Sequence, residues 1–155
     1  MKAIIEELVM WLDDREVALD EVILKCKDIE RDYKKVSSLT DDLLLLHLFE
    51  ELAEQRKNWV ARLESHIRKL GGLPSDIDPE KQVLEEIITH TKVALSDDEH
   101  NILLDERQKE EEELKKLVKL ALKQKIPDKT RSLLRHIEEE IEITQKRLLE
   151  IRSRS

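Results

Sequence analysis

Leu45, Phe49, Leu52, Trp59, Leu63 and Leu70 recur at helical spacing along one uninterrupted stretch, with Arg56 in the middle of their stripe. A helix this apolar on one face has to bury that face. The guanidinium must therefore meet carboxylates inside the packed interior or reach the rim of the helix by stretching its own stem. Either way, a cation at that point argues against a metal ion beside it, because like charges in a poorly solvated space repel strongly.

The rest of the chain repeats the helical pattern. Only two glycines and three prolines interrupt 155 residues; charged residues make up 41% and aromatics 3%, so little is available from which to build a sheet. An all-α single domain is expected. The first pattern carries Ile5, Leu8, Leu12, Leu19, Ile23, Cys26, Glu30 and Tyr33 near one face and breaks at Asp13-Asp14, where Asp13 and Glu16 resemble an N-cap and its capping-box partner. The polar cluster from Ser37 to Asp42 is the first turn. The second helix is predicted from Asp42 to Leu70, ending at Gly71-Gly72.

Residues 73–79 form a loop, and Pro79 opens a shorter helix over 80–95. Ser96-Asp97-Asp98-Glu99 starts a third long helix to about Lys125, with Leu103, Leu114, Leu117, Ala121 and Glu110 on its inner stripe. A last helix runs from Asp128 to Arg152 on Leu134, Ile137, Ile141, Gln145 and Leu148. Long helices with a short one between the second and third imply a bundle in which the short segment crosses over.

The segments Cys26 to Tyr33, Leu48 to Arg56 and Ile67 to Pro74 together resemble the ferritin-like superfamily, most closely bacterial four-helix bundles of unknown function distantly similar to rubrerythrin. The resemblance spans about residues 17–150. It implies a ferritin-like four-helix bundle over 15–152 with a short crossover helix, preceded by a helical extension at 1–14.

Metal-binding members use a Glu on each of two helices and a Glu-x-x-His on each of the others. Matched to that pattern, Arg56 falls on a ligand carboxylate and Trp59 on a ligand imidazole. Cys26 stands seven residues before Tyr33, where the pattern would have its Glu. Glu110 matches the third-helix carboxylate, and Glu142 with Gln145 matches the last Glu-x-x-His with its histidine replaced. The resemblance thus implies a bundle that has lost its metal, with no cofactor, in which Arg56 pairs with Glu110 near Glu142 or Glu30 and Gln145 completes the hydrogen bonds. Were a metal present, Glu30, Glu54, Glu110 and Glu142 would be the ligands.

Other candidates are weaker. Asp97 with His100, and Glu86 with His90, share helix faces but lack a further imidazole or thiol at ligand spacing for zinc. Cys26 alone cannot form an internal disulfide and fits a buried position. The net charge of -8 disfavours nucleic acid and anionic membranes as partners. No apolar run approaches a membrane span, and the amphipathic start bearing Glu6 and Glu7 is unlike a secretory signal, so a cytoplasmic location is expected.

Ile4, Leu8, Trp11 and Leu12 of the leading segment need a covering surface, either on their own bundle or on another chain. The expectation is a non-catalytic, self-associating scaffold, a homodimer, with a role in bacterial stress physiology by resemblance. The alternatives are a diverged di-iron or manganese oxidase or peroxidase, and an adaptor that captures a protein partner through the leading segment.

Overall fold

A computed structural model describes residues 14–72 and 94–154. Within them lie four long helices: α1 Asp14–Leu39, α2 Leu43–Lys69, α3 Asp97–Leu122 and α4 Asp128–Ser153. Each is about 40 Å long at 1.5 Å per residue. No strand occurs among the described residues. The chain is an all-α four-helix bundle. The expected extension over 1–13, the loop from 73 and the crossover helix to residue 93 lie outside the described residues; Ala94 and Leu95, placed at that helix's end, are not helical.

The helix ends follow local chemistry. Asp42 caps α2 by accepting hydrogen bonds from the amides of Leu44 at 3.0 Å and Leu45 at 3.2 Å. Gly71, at φ 90°, turns the chain out of that helix, and the Gly72 amide returns to the Ile67 carbonyl at 3.0 Å. At the start of α3, Ser96 Oγ accepts from the Glu99 amide at 3.2 Å while Glu99 Oε1 accepts from the Ser96 amide at 3.2 Å. The carbonyls left over at the end of α3 are met by α4: Arg131 donates to Leu122 O at 2.7 Å and Gln124 O at 3.0 Å.

Cross-helix contacts give the topology. Lys25 meets Glu113, Asp32 meets Arg107 and Thr40 meets His100, so α1 and α3 run antiparallel. Glu51 meets Arg147 and His66 meets Thr130, so α2 and α4 are antiparallel too. Tyr33 stacks on Phe49 and Lys27 approaches Glu64, which makes α1 and α2 an antiparallel hairpin. It follows that α2 and α3 point the same way. This up-down-down-up order of the described helices is that of ferritin-like bundles.

One continuous core fills the bundle, from Leu19, Ile23, Cys26 and Tyr33 of α1 through Phe49, Leu52, Trp59 and Leu63 of α2 to Leu114 and Val118 of α3 and Leu134, Ile137, Ile141 and Leu148 of α4. The buried stripe of α3 is Leu104, Arg107, Glu111, Leu114, Val118 and Ala121. Leu114 and Ala121 lie inside as expected, but Glu111 takes the place assigned to Glu110. Leu104, Leu114 and Val118 set the buried face of the helix, and Glu111 rather than Glu110 lies on it.

Candidate functional site

At the centre of the bundle, Arg56 and Glu111 are both 0% exposed. Arg56 Nη2 lies 2.5 Å from each Glu111 carboxylate oxygen. Tyr33, from α1, donates its hydroxyl to Glu111 Oε1 at 2.6 Å. Arg56 Nη1 donates to Gln55 Oε1, and Gln55 Nε2 in turn donates to Glu140 Oε2 of α4 at 3.0 Å. The network therefore joins all the long helices.

Aromatic rings flank the cation. The Arg56 guanidinium lies 4.2 Å from the centroid of the Trp59 ring and 5.8 Å from that of Tyr33, within the range where a ring quadrupole attracts a desolvated cation. A second buried guanidinium, Arg107, sits 5.6 Å from the Tyr33 ring, with its Nη1 3.6 Å from Asp32 Oδ2. Among the described residues, the Nε atoms of Arg56 and Arg107 have no hydrogen-bond partner. The Trp59 face is thus a necessary part of Arg56's surroundings.

Burial sets the protonation of the neighbours. It pushes the Cys26 thiol up to about 12, the nearby Arg56 charge opposing the rise and Glu111 adding to it. Tyr33 is held well above its usual range, first by desolvation and then by the Glu111 carboxylate. Cys26 is therefore an inert thiol at neutral pH, and Tyr33 a neutral hydrogen-bond donor. Asp32 is raised by burial, with Arg107 pulling the other way.

The remaining candidates are dispersed. Glu110 faces α1 at the bundle edge, where Lys25 Nζ lies 2.5 Å from its carboxylate and 2.7 Å from that of Glu113. Burial alone would lower the Lys25 ammonium, but those two hydrogen bonds outweigh it and raise it. Glu142 is exposed, and Gln145 bonds outward to Glu112 at 2.9 Å and Lys115 at 3.1 Å. Thr144 is buried on α4 where Gln145 was expected. Glu30 pairs with Lys34, and Glu54 is exposed.

The expected polar core of Arg56, Glu110, Glu142 and Gln145 is therefore corrected in three members: Glu111, Tyr33 and Gln55 stand around Arg56 instead. Sequence reasoning passed over Glu111 and Arg107, although their spacing of four, ahead of Leu114 and Val118, is a helical face. Ile4, Leu8, Trp11 and Leu12 lie outside the described residues.

Glu30, Glu54, Glu110 and Glu142 point to different surroundings, and no group of three or more His, Cys, Asp or Glu among the described residues could hold an ion. In the centre a single carboxylate has both oxygens engaged by a guanidinium, whereas a pair of divalent ions needs several free carboxylate oxygens and imidazoles. These residues do not fit a di-metal group.

Helix order and the buried mid-bundle site define a ferritin-like four-helix bundle. The chain belongs to the domain of unknown function DUF2383, whose family profile matches residues 14–124. Its fold is similar to that of a dodecameric thioferritin, the bacterioferritin-related protein of Bacteroides fragilis, with a TM-score of 0.64 at 16% identity over 93% of this chain and 89% of that one. At that identity the likeness concerns the fold. No curated protein matches the chain. No helix among the described residues is long and apolar enough to cross a membrane.

Proposed function

We propose that this protein is a non-catalytic ferritin-like bundle in which an ion pair has replaced the metal centre, and that it acts as a self-associating scaffold in the bacterial cytoplasm, in stress physiology. One observation carries the reading: Arg56 and Glu111 lie wholly buried against one another in the middle of the helices. A guanidinium there occupies space and charge that divalent cations would need.

Self-association has separate support. The similar thioferritin is a dodecamer, and this bundle exposes Leu43, Leu44, Ile102 and Leu149, large side chains that a second copy could cover. The simplest closed assembly is a homodimer, in which one patch meets itself. Its leading segment, through Ile4, Leu8, Trp11 and Leu12, is the element proposed to cover a neighbour.

The test is twofold. Elemental analysis of protein purified without chelator is expected to find no stoichiometric iron or manganese; about two ions per chain would replace this reading with that of a diverged di-metal oxidase or peroxidase, for which the thioferritin likeness is the support. Light scattering is expected to give a multiple of 18.3 kDa that falls when residues 1–12 are removed. A monomeric full-length chain would overturn the scaffold. An oligomer unchanged by the deletion would place the interface elsewhere and leave the leading segment to a different protein partner, as an adaptor.

A further inference from the structure

At the end of the bundle where α2 finishes and α4 begins, a cleft of about 470 Å3 opens between the two helices. Arg62, His66 and Lys69 reach it from α2 at spacings of four and three, and Lys129, Ser132 and His136 reach it from α4 at spacings of three and four. Each set is one helical face, so the convergence of basic groups is built by two rigid elements and does not depend on a loop. Asp128 is the one carboxylate lining the cleft.

That balance departs from the rest of the molecule, which carries a net charge of -8. On other faces several basic side chains pair with carboxylates, among them Lys25 with Glu110, Arg68 with Glu64, Arg147 with Glu51 and Arg152 with Asp105. Arg62, Lys69 and Lys129 have no carboxylate partner among the described residues. Three cations line one cleft with Asp128 as the single carboxylate beside them, an excess of positive charge that a bound anion would offset. The helix ends do not supply the attraction, since the negative end of α2 and the positive end of α4 lie together and oppose each other.

We infer that this cleft binds a phosphate group carried on a small organic molecule, through Arg62, Lys69 and Lys129, with Ser132 and His136 within the same cleft as further polar contacts. A guanidinium and two ammonium groups match a dianion with several acceptor oxygens. The cleft is open to solvent and roomier than a bare phosphate needs, leaving space for the group that bears it.

His66 provides a reporter. Its Nδ1 lies 2.7 Å from Thr130 Oγ1, which fixes the ring, and its pKa is lowered by burial and then by Lys69, Arg62 and Lys129. From α4, Asp128 and His136 also face the cleft. A dianion among these cations would offset their field and move the His66 titration upward.

The experiment titrates the full-length protein with inorganic phosphate while the His66 and His136 imidazole signals are followed by nuclear magnetic resonance, with chloride at matched ionic strength as control. Glycerol phosphate and glycerol form a second pair of arms. Saturable shifts with phosphate but not chloride are expected, with tighter binding of glycerol phosphate and none of glycerol. The His66 midpoint should rise in the bound state. Lys69→Ala with Lys129→Ala should weaken binding by about tenfold or more, and Arg62→Gln separately should weaken it too; all three positions are exposed, so the variants should fold. Equal responses to phosphate and chloride, or unchanged binding by the folded double variant, would overturn the assignment. Glycerol phosphate binding no tighter than phosphate would overturn the organic carrier.

Discussion

The behaviour of the central pair follows from what each partner loses if left alone. Removing Glu111 strands a guanidinium that cannot shed its proton in a dry interior, and the cost of breaking a buried pair is about 3–5 kcal/mol. Arg56→Met should be similarly costly, because Glu111 would then remain buried. Urea unfolding of Arg56→Met, Glu111→Leu and the double variant is expected to show the double variant well above the sum of the singles in stability, and additive losses would remove the coupling. Tyr33→Phe, which takes one donor from Glu111 and keeps the ring between Phe49 and the guanidinium groups, should cost about 1–3 kcal/mol. Cys26 supplies a pH prediction. Burial raises its folded-state pKa to about 12, above the ordinary thiol value of about 9, so the unfolded chain releases the proton first. The stability this group contributes is whole below about pH 9 and is lost progressively as pH rises through that window, a slope that Cys26→Ala should remove from the alkaline side of a stability profile.

Each helix has its own start and stop chemistry, and the ends are not equivalent. The Ser96 and Glu99 side chains satisfy two amides reciprocally at the start of α3, whereas α4 begins on Pro127 with no side-chain hydrogen bond to its first turn. Ser96→Ala is therefore expected to cost about 1 kcal/mol, measurable by thermal unfolding. The glycines after α2 also differ. Gly71 holds φ 90°, where an added Cβ is strained even though nothing lies within 4 Å, so Gly71→Ala should destabilise by about 1 kcal/mol. At Gly72 an added Cβ would meet Glu16 Oε2 at 2.7 Å, the free end of a flexible side chain that can swing aside, so Gly72→Ala should be the milder change.

Across the whole molecule, charge is organised more tightly than composition suggests. Interhelical pairs stitch α1 to α3 through Lys25 with Glu110 and Glu113, α2 to α4 through Glu51 with Arg147, and α3 to α4 through Asp105 with Arg152. Those at the surface contribute little each, and salt screens them. The buried Arg56 and Glu111 pair escapes that screening. Raising salt should therefore leave the coupling between these two residues nearly unchanged in the double-variant cycle, while a cycle on Asp105 and Arg152 should show a weak coupling that disappears.

The helical class, the number of long helices, the start signal of α3 at Ser96 to Glu99 and the conflict posed by Arg56 within an apolar stripe were all legible in the amino-acid order, because each rests on contacts within a few residues or on helical periodicity. Which carboxylate answers Arg56 was not. In an α-helix each residue turns the face by about 100°, so among Glu110, Glu111, Glu112 and Glu113 a shift of one place exchanges the dry side for the wet one. The spacing from Arg107, Leu114 and Val118 favours Glu111, but the choice is made only when α3 packs against α1 and α4 and Leu104, Leu114 and Val118 find their places in the core. The same rotation brought Thr144 inward in place of Gln145 on α4. The basic cleft belongs to that second category as well, since Arg62, His66 and Lys69 become neighbours of Lys129 and His136 only once α4 packs antiparallel against α2.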